Sequence, residues 1–217
     1  MFLFLARHAE GEAVKDRWQT PNSKLSDIGK KQAEALGKQV KFYKIDKIFS
    51  SDWERSRKTA EIISKEAQID FEILDYIHER KQLPDMYGAL RNSEISMKYA
   101  NEYRKNFGNL DWKFEGKEES TREVLDRTSK LLLFLTKNYQ GKRVLVVSHD
   151  LFIRCLLSNV LLGRNYSHES MFRAINNLAI NNTGLSLLIH SSQWQTWQIN
   201  YINNYSHLKY LEKKSNQ

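Results

Sequence analysis

Two short apolar runs, Met1–Leu5 and Val144–Val147, constrain this chain more than any other feature. Neither contains a polar position, and a histidine follows each within a few residues. A strand that keeps one face in water alternates; a run with no polar position needs cover on both sides. Between and beyond them lie amphipathic stretches at helical spacing. Asp27–Lys41 carries Ile28, Ala33, Leu36 and Val40 between charges, with Ser26 placed to cap it. Glu54–Glu66 has Ala60, Ile62 and Ile63 on its core side, and Glu119–Tyr139 has Val124, Leu125, Leu131, Leu132 and Leu135. Leu151–Leu162 reads as a further helix, and Lys47–Ser50 and Phe71–Leu74 as strands. Three strands are expected to close the chain: Leu178–Asn181, Leu185–His190 and Thr196–Tyr201. This alternation predicts an α/β fold, a three-layer α/β/α sandwich around a mostly parallel central sheet. Asp75 to Gly116 breaks the pattern, being polar and aromatic-rich with one helix near Glu94–Asn106. It reads as a cap, residues 77–118, inserted into a single domain spanning 1–217.

Composition narrows the class. The 217 residues include one cysteine, so an internal disulfide is excluded, and Cys155 sits on an apolar helix face where packing explains it. The opening Met1–Ala6 meets Arg7 too soon for a membrane span or a signal-peptide core, and no later run approaches about 20 apolar residues. A cytoplasmic protein without membrane contact is expected. The net charge of +8 raises the local concentration of anions. Its lysines are dispersed, however: Lys30, Lys31, Lys38, Lys41, Lys44 and Lys47 form one solvated helix face, and the Lys213–Lys214 tail is short and mixed with Glu212. No nucleic-acid motif accompanies the charge, so no nucleic-acid partner is expected.

Chemistry concentrates where strands end. His8, beside Arg7, follows the first strand, and His149 follows the strand Val144–Val147 just before a helix. Ligands in open α/β sheets bind at the carboxyl ends of strands, so neighbouring strands would put both imidazoles and the Arg7 guanidinium in one crevice. The segment from Ser50 to Ala60 repeats the pattern of strand end, polar turn and helix. Arg55 near that helix start is electrostatically unfavourable unless an anion joins it; an ion pair with Asp52 or Glu54 is the alternative.

Taken together, these segments resemble a known family. Arg7-His8-Ala9-Glu10, the Leu25-Ser26-Asp27-Ile28-Gly29 turn with Gln32-Ala33, Ser51…Arg55…Thr59-Ala60 and Val147-Ser148-His149 are similar to the histidine phosphatase superfamily, the phosphoglycerate mutase-like group. Weaker matches are Glu79-Arg80, Glu119-Ser120 with Arg127, and Asn203…His207-Leu208, so the likeness runs from Arg7 to Leu208. The resemblance implies a phosphoryl group taken by His8 as nucleophile, with Arg7, Arg55 and His149 binding its oxygens. It implies a carboxylic acid that protonates the leaving group: Glu79, with Asp85 in reserve. Burial and a nearby phosphate would both favour the protonated form of such an acid. No metal and no cofactor is expected, since arginines supply the positive charge.

The sequence also departs from the pattern. Ala9 stands where glycine is familiar, and Gly11 and Val14 stand where hydroxyl and amide side chains are common. Asp150 replaces the usual glycine after the second histidine and is read as capping the following helix. His207 is read as structural, and His78, His168 and His190 lack ligand spacing. Trp112, Phe114, Met86 and Tyr87 either line a lid or pack it down. The favoured activity is a phosphatase acting on a small phosphorylated metabolite; the alternatives are a mutase and a non-catalytic module that binds phosphorylated ligands. Homodimer formation is left open.

Overall fold

Residues 1–12, 16–163 and 165–209 are described by the structure, a computed structural model. Val14 and the Glu212–Lys214 tail, singled out above, lie outside the described residues. Helices alternate with strands in the first two units: β1 (Phe2–Arg7), α1 (Asp27–Phe42), β2 (Lys47–Ser50), α2 (Glu54–Ala67) and β3 (Phe71–Ile73). The excursion follows and carries α3 (Glu94–Lys105); then come α4 (Thr121–Asn138), β4 (Arg143–Ser148), α5 (Asp150–Leu162) and α6 (His168–Asn176). A hairpin of β5 (Leu185–Ser191) and β6 (Thr196–Asn204) ends the sheet.

All six strands form one sheet in the order β3-β2-β4-β1-β5-β6. Pairing is parallel from β3 through β1 and antiparallel at β1–β5 and β5–β6, so the sheet is mostly parallel, as expected. The uninterrupted apolar runs explain the layering. Alternate residues of β1 enter opposite cores: Leu3 and Leu5 pack with Val124, Leu131, Phe152 and Leu156 of α4 and α5. Phe4 and Ala6 pack with Leu36, Val40, Ala60 and Ile63 of α1 and α2. In β4, Val144 and Val146 face the first core, and Leu145 and Val147 the second. Burial of each such side chain contributes about 1.5–3 kcal/mol, which holds three layers together. Residues Leu83, Met86, Tyr99 and Phe114 of the excursion form a small core of their own, joined by Trp18 and Trp112. Met86, Phe114 and Trp112 therefore pack the cap down, while Tyr87 turns its ring edge-on toward Trp53.

Two elements differ from expectation. Leu178–Asn181 is a loop, because the chain turns there: Thr183 takes a positive φ of 55°, Gly184 N–H donates to Asn181 and Thr183 N–H to the Arg7 carbonyl. The helix α6 was not anticipated; Ser167 caps it by accepting from Ser170 N–H, and Met171 and Ile175 are its buried positions. Among the described residues no helix is long and apolar enough to cross a membrane.

Candidate active site

Sheet order places the chemistry. Because β2, β4 and β1 are neighbours, Ser51, His149 and His8 all lie just past the same edge. Backbone bonds lock these strand ends together: His8 N–H donates to the Ser148 carbonyl at 2.8 Å and Ser51 N–H to Val147 at 3.2 Å. The two histidine rings stand with centroids 5.0 Å apart.

His8 is 4% exposed, and its Nδ1 lies 2.7 Å from the Ala9 carbonyl oxygen. A carbonyl only accepts, so Nδ1 carries the proton and Nε2 keeps its lone pair. Arg55 Nε donates to that lone pair at 2.9 Å. Burial, the Arg55 guanidinium and, more weakly, Arg7 hold the His8 pKa well below the ordinary value of 6.5, against the opposing Ala9 bond, so the ring is neutral at physiological pH. The loop behind it is pinned on two sides. Ala9 N–H donates to Thr59 Oγ1, and Asn182 Nδ2 donates to the His8 carbonyl.

Arg55 is 4% exposed and bonded, so the alternative surface ion pair is not formed: Glu54 pairs with Arg57 instead. Its Nη1 donates to the Thr20 carbonyl at 2.9 Å, and its guanidinium lies 5.0 Å from the Trp53 ring centroid. Burial lowers its pKa to about 10, opposed by Glu79, which leaves it charged at neutrality. Arg7 Nη1 donates to the Ile180 carbonyl at 2.5 Å, so the loop expected as a strand supplies the acceptor that aims this guanidinium.

His149 is fully buried, with Nε2 2.7 Å from Ser51 Oγ and Nδ1 without a partner among the described residues. Burial and the nearby His8, Arg55, His78 and Arg7 all push its pKa well below 6.5. Asp150 does not cap α5. His149 occupies the N-cap position, and the Asp150 carboxylate pairs with Arg154 at 2.9 Å and approaches Arg7 at 3.8 Å. A carboxylate in the first turn is within reach of the arginine four residues on, which outcompetes the backbone.

Glu79 is half-buried, its Oε1 accepting from Arg80 N–H at 3.0 Å and Oε2 from Leu151 N–H at 3.1 Å. Its segment is strapped down by Arg127, which pairs with both Glu119 oxygens and donates to the Tyr76 and His78 carbonyls. Asp85 is exposed in a short turn at Pro84–Met86. Ser51, Thr59 and Thr20 escaped sequence reasoning as functional groups, although the first two lie in the matched Ser51…Arg55…Thr59 segment; only their partners across the fold give them a role. Among the described residues no three His, Cys, Asp or Glu side chains are grouped to hold a metal ion.

The family model for the histidine phosphatase superfamily (branch 1) matches residues 3–204. The chain belongs to that superfamily. It is 31% identical over 165 residues to a protein named probable phosphoglycerate mutase GpmB from Salmonella choleraesuis (strain SC-B67), spanning 73% of this chain and 74% of the relative. Among solved structures, Bacillus stearothermophilus YhfR superposes with a TM-score of 0.82 at 21% identity, covering 96% of this chain and 99% of that one. A mycobacterial glucosyl-3-phosphoglycerate phosphatase complexed with VO3 gives 0.75 at 21%, covering 93% and 98%. A phosphoserine phosphatase from Entamoeba histolytica, in complex with 3-phosphoglyceric acid, gives 0.75 at 22%, covering 95% and 98%.

For this superfamily member, the Leu25–Gly29 motif has a physical explanation. Ser26 Oγ caps α1 by accepting from Gly29 N–H and donates to Glu10 Oε1 at 2.7 Å. A Cβ on Gly29 would lie 2.0 Å from the Glu10 carbonyl oxygen, so only glycine lets helix α1 meet the loop that follows His8. Gln32 Oε1 completes the clamp by accepting from Glu10 N–H. His207 is structural in the same sense: its Nε2 lies 3.0 Å from Thr183 Oγ1, and burial lowers its pKa to about 4.

Proposed function

We propose that the protein is a metal-independent phosphatase that hydrolyses a small phosphomonoester through phosphohistidine on His8. The observation that carries this reading is the tautomer of His8, with the proton on Nδ1 and the Nε2 lone pair facing a buried, charged guanidinium. A neutral imidazole attacks phosphorus without first losing a proton at that nitrogen. Nε2 forms the bond to phosphorus while the ester P–O bond breaks. The Glu79 carboxylic acid gives its proton to the departing alkoxide. Water then attacks the phosphohistidine, the Glu79 carboxylate takes its proton, and the N–P bond breaks to release phosphate and neutral His8. Arg7, Arg55 and His149 bind the phosphoryl oxygens throughout. Fixed donors of this kind stabilise the charge that spreads over phosphorus in transit, commonly the largest catalytic term. The unpartnered Nδ1 of His149 fits this role, because a buried ring nitrogen without a partner costs about 1–3 kcal/mol, which a phosphate oxygen would remove.

A mutase is the second reading, favoured by the name of the Salmonella relative. The two differ in where the phosphoryl group goes. Incubation with phosphomonoesters in excess EDTA, with free phosphate measured, is expected to show release, and transfer from a bisphosphoglycerate primer to 3-phosphoglycerate is expected to be much slower. Transfer without net release would make the protein a mutase. Phosphate-ester binding with neither outcome would make it a binding module.

A further inference from the structure

Beside the proposed catalytic groups lies a cleft of about 540 Å³, bounded by α3 of the cap on one side and by α5 and α6 on the other. Among the described residues four arginines line it, Arg80, Arg91, Arg104 and Arg154, and none of the lining residues is acidic. Two of the four are fixed from behind. Arg80 lies against the fully buried Glu118 side chain, 3.7 Å away, and donates to the Tyr99 hydroxyl; Arg154 is held by Asp150. The other two have no carboxylate partner among the described residues. Arg91 stacks on Trp18 at 4.6 Å, and Arg104 donates to the Asn101 amide oxygen at 3.2 Å.

The cleft is coupled to the catalytic groups by three direct links. Leu151 lines it and holds Glu79 through its N–H; Arg80 follows Glu79 in the chain; Arg154 shares Asp150 with Arg7. These links set the positively charged lining of the cleft beside the groups proposed to hold phosphate. Low-dielectric walls lined by one sign of charge focus the field on the opposite sign. Clefts of about 300–1,000 Å³ accommodate drug-sized molecules, so a three-carbon acid would leave most of this one unfilled.

We infer that the substrate is an extended phosphomonoester bearing a second anionic group, phosphate or carboxylate, at its far end, which Arg91 and Arg104 bind in this cleft with Arg80 and Arg154 behind them. The inference rests on the phosphatase reading and deepens it. The test compares n-alkyl phosphates with their ω-carboxylate and ω-phosphate counterparts, each at hexyl and decyl length, beside p-nitrophenyl phosphate as a probe without a remote anion. An ω-anionic ester is expected to exceed its alkyl parent in kcat/KM by about tenfold or more, the scale of one charge-assisted hydrogen bond. Whether carboxylate or phosphate gains more identifies the group. The double variant Arg91→Gln/Arg104→Gln is expected to erase the preference while p-nitrophenyl phosphate turnover stays unchanged. Equal kcat/KM for alkyl and ω-anionic esters at both lengths overturns the inference, as does an equal loss on every substrate in the double variant. Calorimetric titration of the ω-phosphate esters into both proteins separates the two readings. Tighter binding to wild type by about tenfold without any turnover would uphold the cleft and sink the phosphatase reading; equal binding to both proteins would sink the cleft alone.

Discussion

Arg55 Nε–H donates to His8 Nε2 across 2.9 Å, so the lone pair proposed to attack phosphorus is already satisfied by the group proposed to bind phosphate. In the proposed reaction an arriving phosphoryl group takes over that donor and frees the lone pair in the same movement. The Thr20 carbonyl and the Trp53 ring hold the rest of the guanidinium in place, which makes the exchange local. Arg55→Ala is therefore expected to lower kcat/KM for p-nitrophenyl phosphate by about 10²–10³-fold, the scale of losing one preorganised donor. Arg55→Lys is expected to recover little, because an ammonium cannot keep Thr20 and reach phosphate in a fixed fork. Unchanged kinetics in Arg55→Ala would remove it from the reaction.

Glu79 is positioned by two backbone N–H groups, from Arg80 and Leu151, that a glutamine can meet only in part. Glu79→Gln is expected to cost about 10²–10⁴-fold on alkyl phosphates, whose leaving groups need a proton. The loss on phosphorylation by p-nitrophenyl phosphate, measured as the burst rate, should be far smaller. Equal losses on both would contradict an acid role.

Acid stability follows from the buried histidines. The pKa values of His8 and His149 lie well below 6.5 in the folded chain, chiefly through burial. As pH falls through 6.5, the unfolded chain takes up protons that the folded one refuses, so stability drops, by up to about 1.4 kcal/mol per pH unit for each ring. Urea unfolding of His149→Gln between about pH 7 and pH 5 is expected to show a shallower loss than wild type. Identical slopes would mean that His149 does not titrate in this way.

Gly29→Ala is expected to destabilise the fold by about 1–3 kcal/mol, since the added methyl meets the Glu10 carbonyl oxygen at 2.0 Å. Either α1 or the loop after His8 must shift, so kcat should fall as well. A variant with wild-type Tm and kcat would show that the contact is relaxed without consequence.

Much of this was legible in the chain. The parallel core was readable because β1 and β4 are apolar on both faces and α1, α2 and α4 keep a helical period, a local signal that burial makes reliable. The convergence of His8, His149 and Arg55 depends on β4 lying between β1 and β2, a non-local fact that strand ends alone do not reveal and that only the family resemblance supplied. Leu178–Asn181 was misread because a short apolar stretch looks like a strand until its turn is seen to serve Arg7. Asp150 was misread as a cap because its partners, Arg154 and Arg7, are met through helix geometry and sheet order. In the cap, aromatic residues that pack and those that face the site have the same composition, so Phe114 and Trp112 in the small core could not be told from Tyr87 against Trp53.

The most direct measurement mixes the protein with excess p-nitrophenyl phosphate, quenches in base within the first turnover, and locates the phosphoryl group by mass spectrometry and NMR. The expected result is one acid-labile phosphate per chain on Nε2 of His8, absent from His8→Ala, which should be folded and inactive. Turnover with phosphate on another side chain, or sustained activity in His8→Ala, would contradict the account.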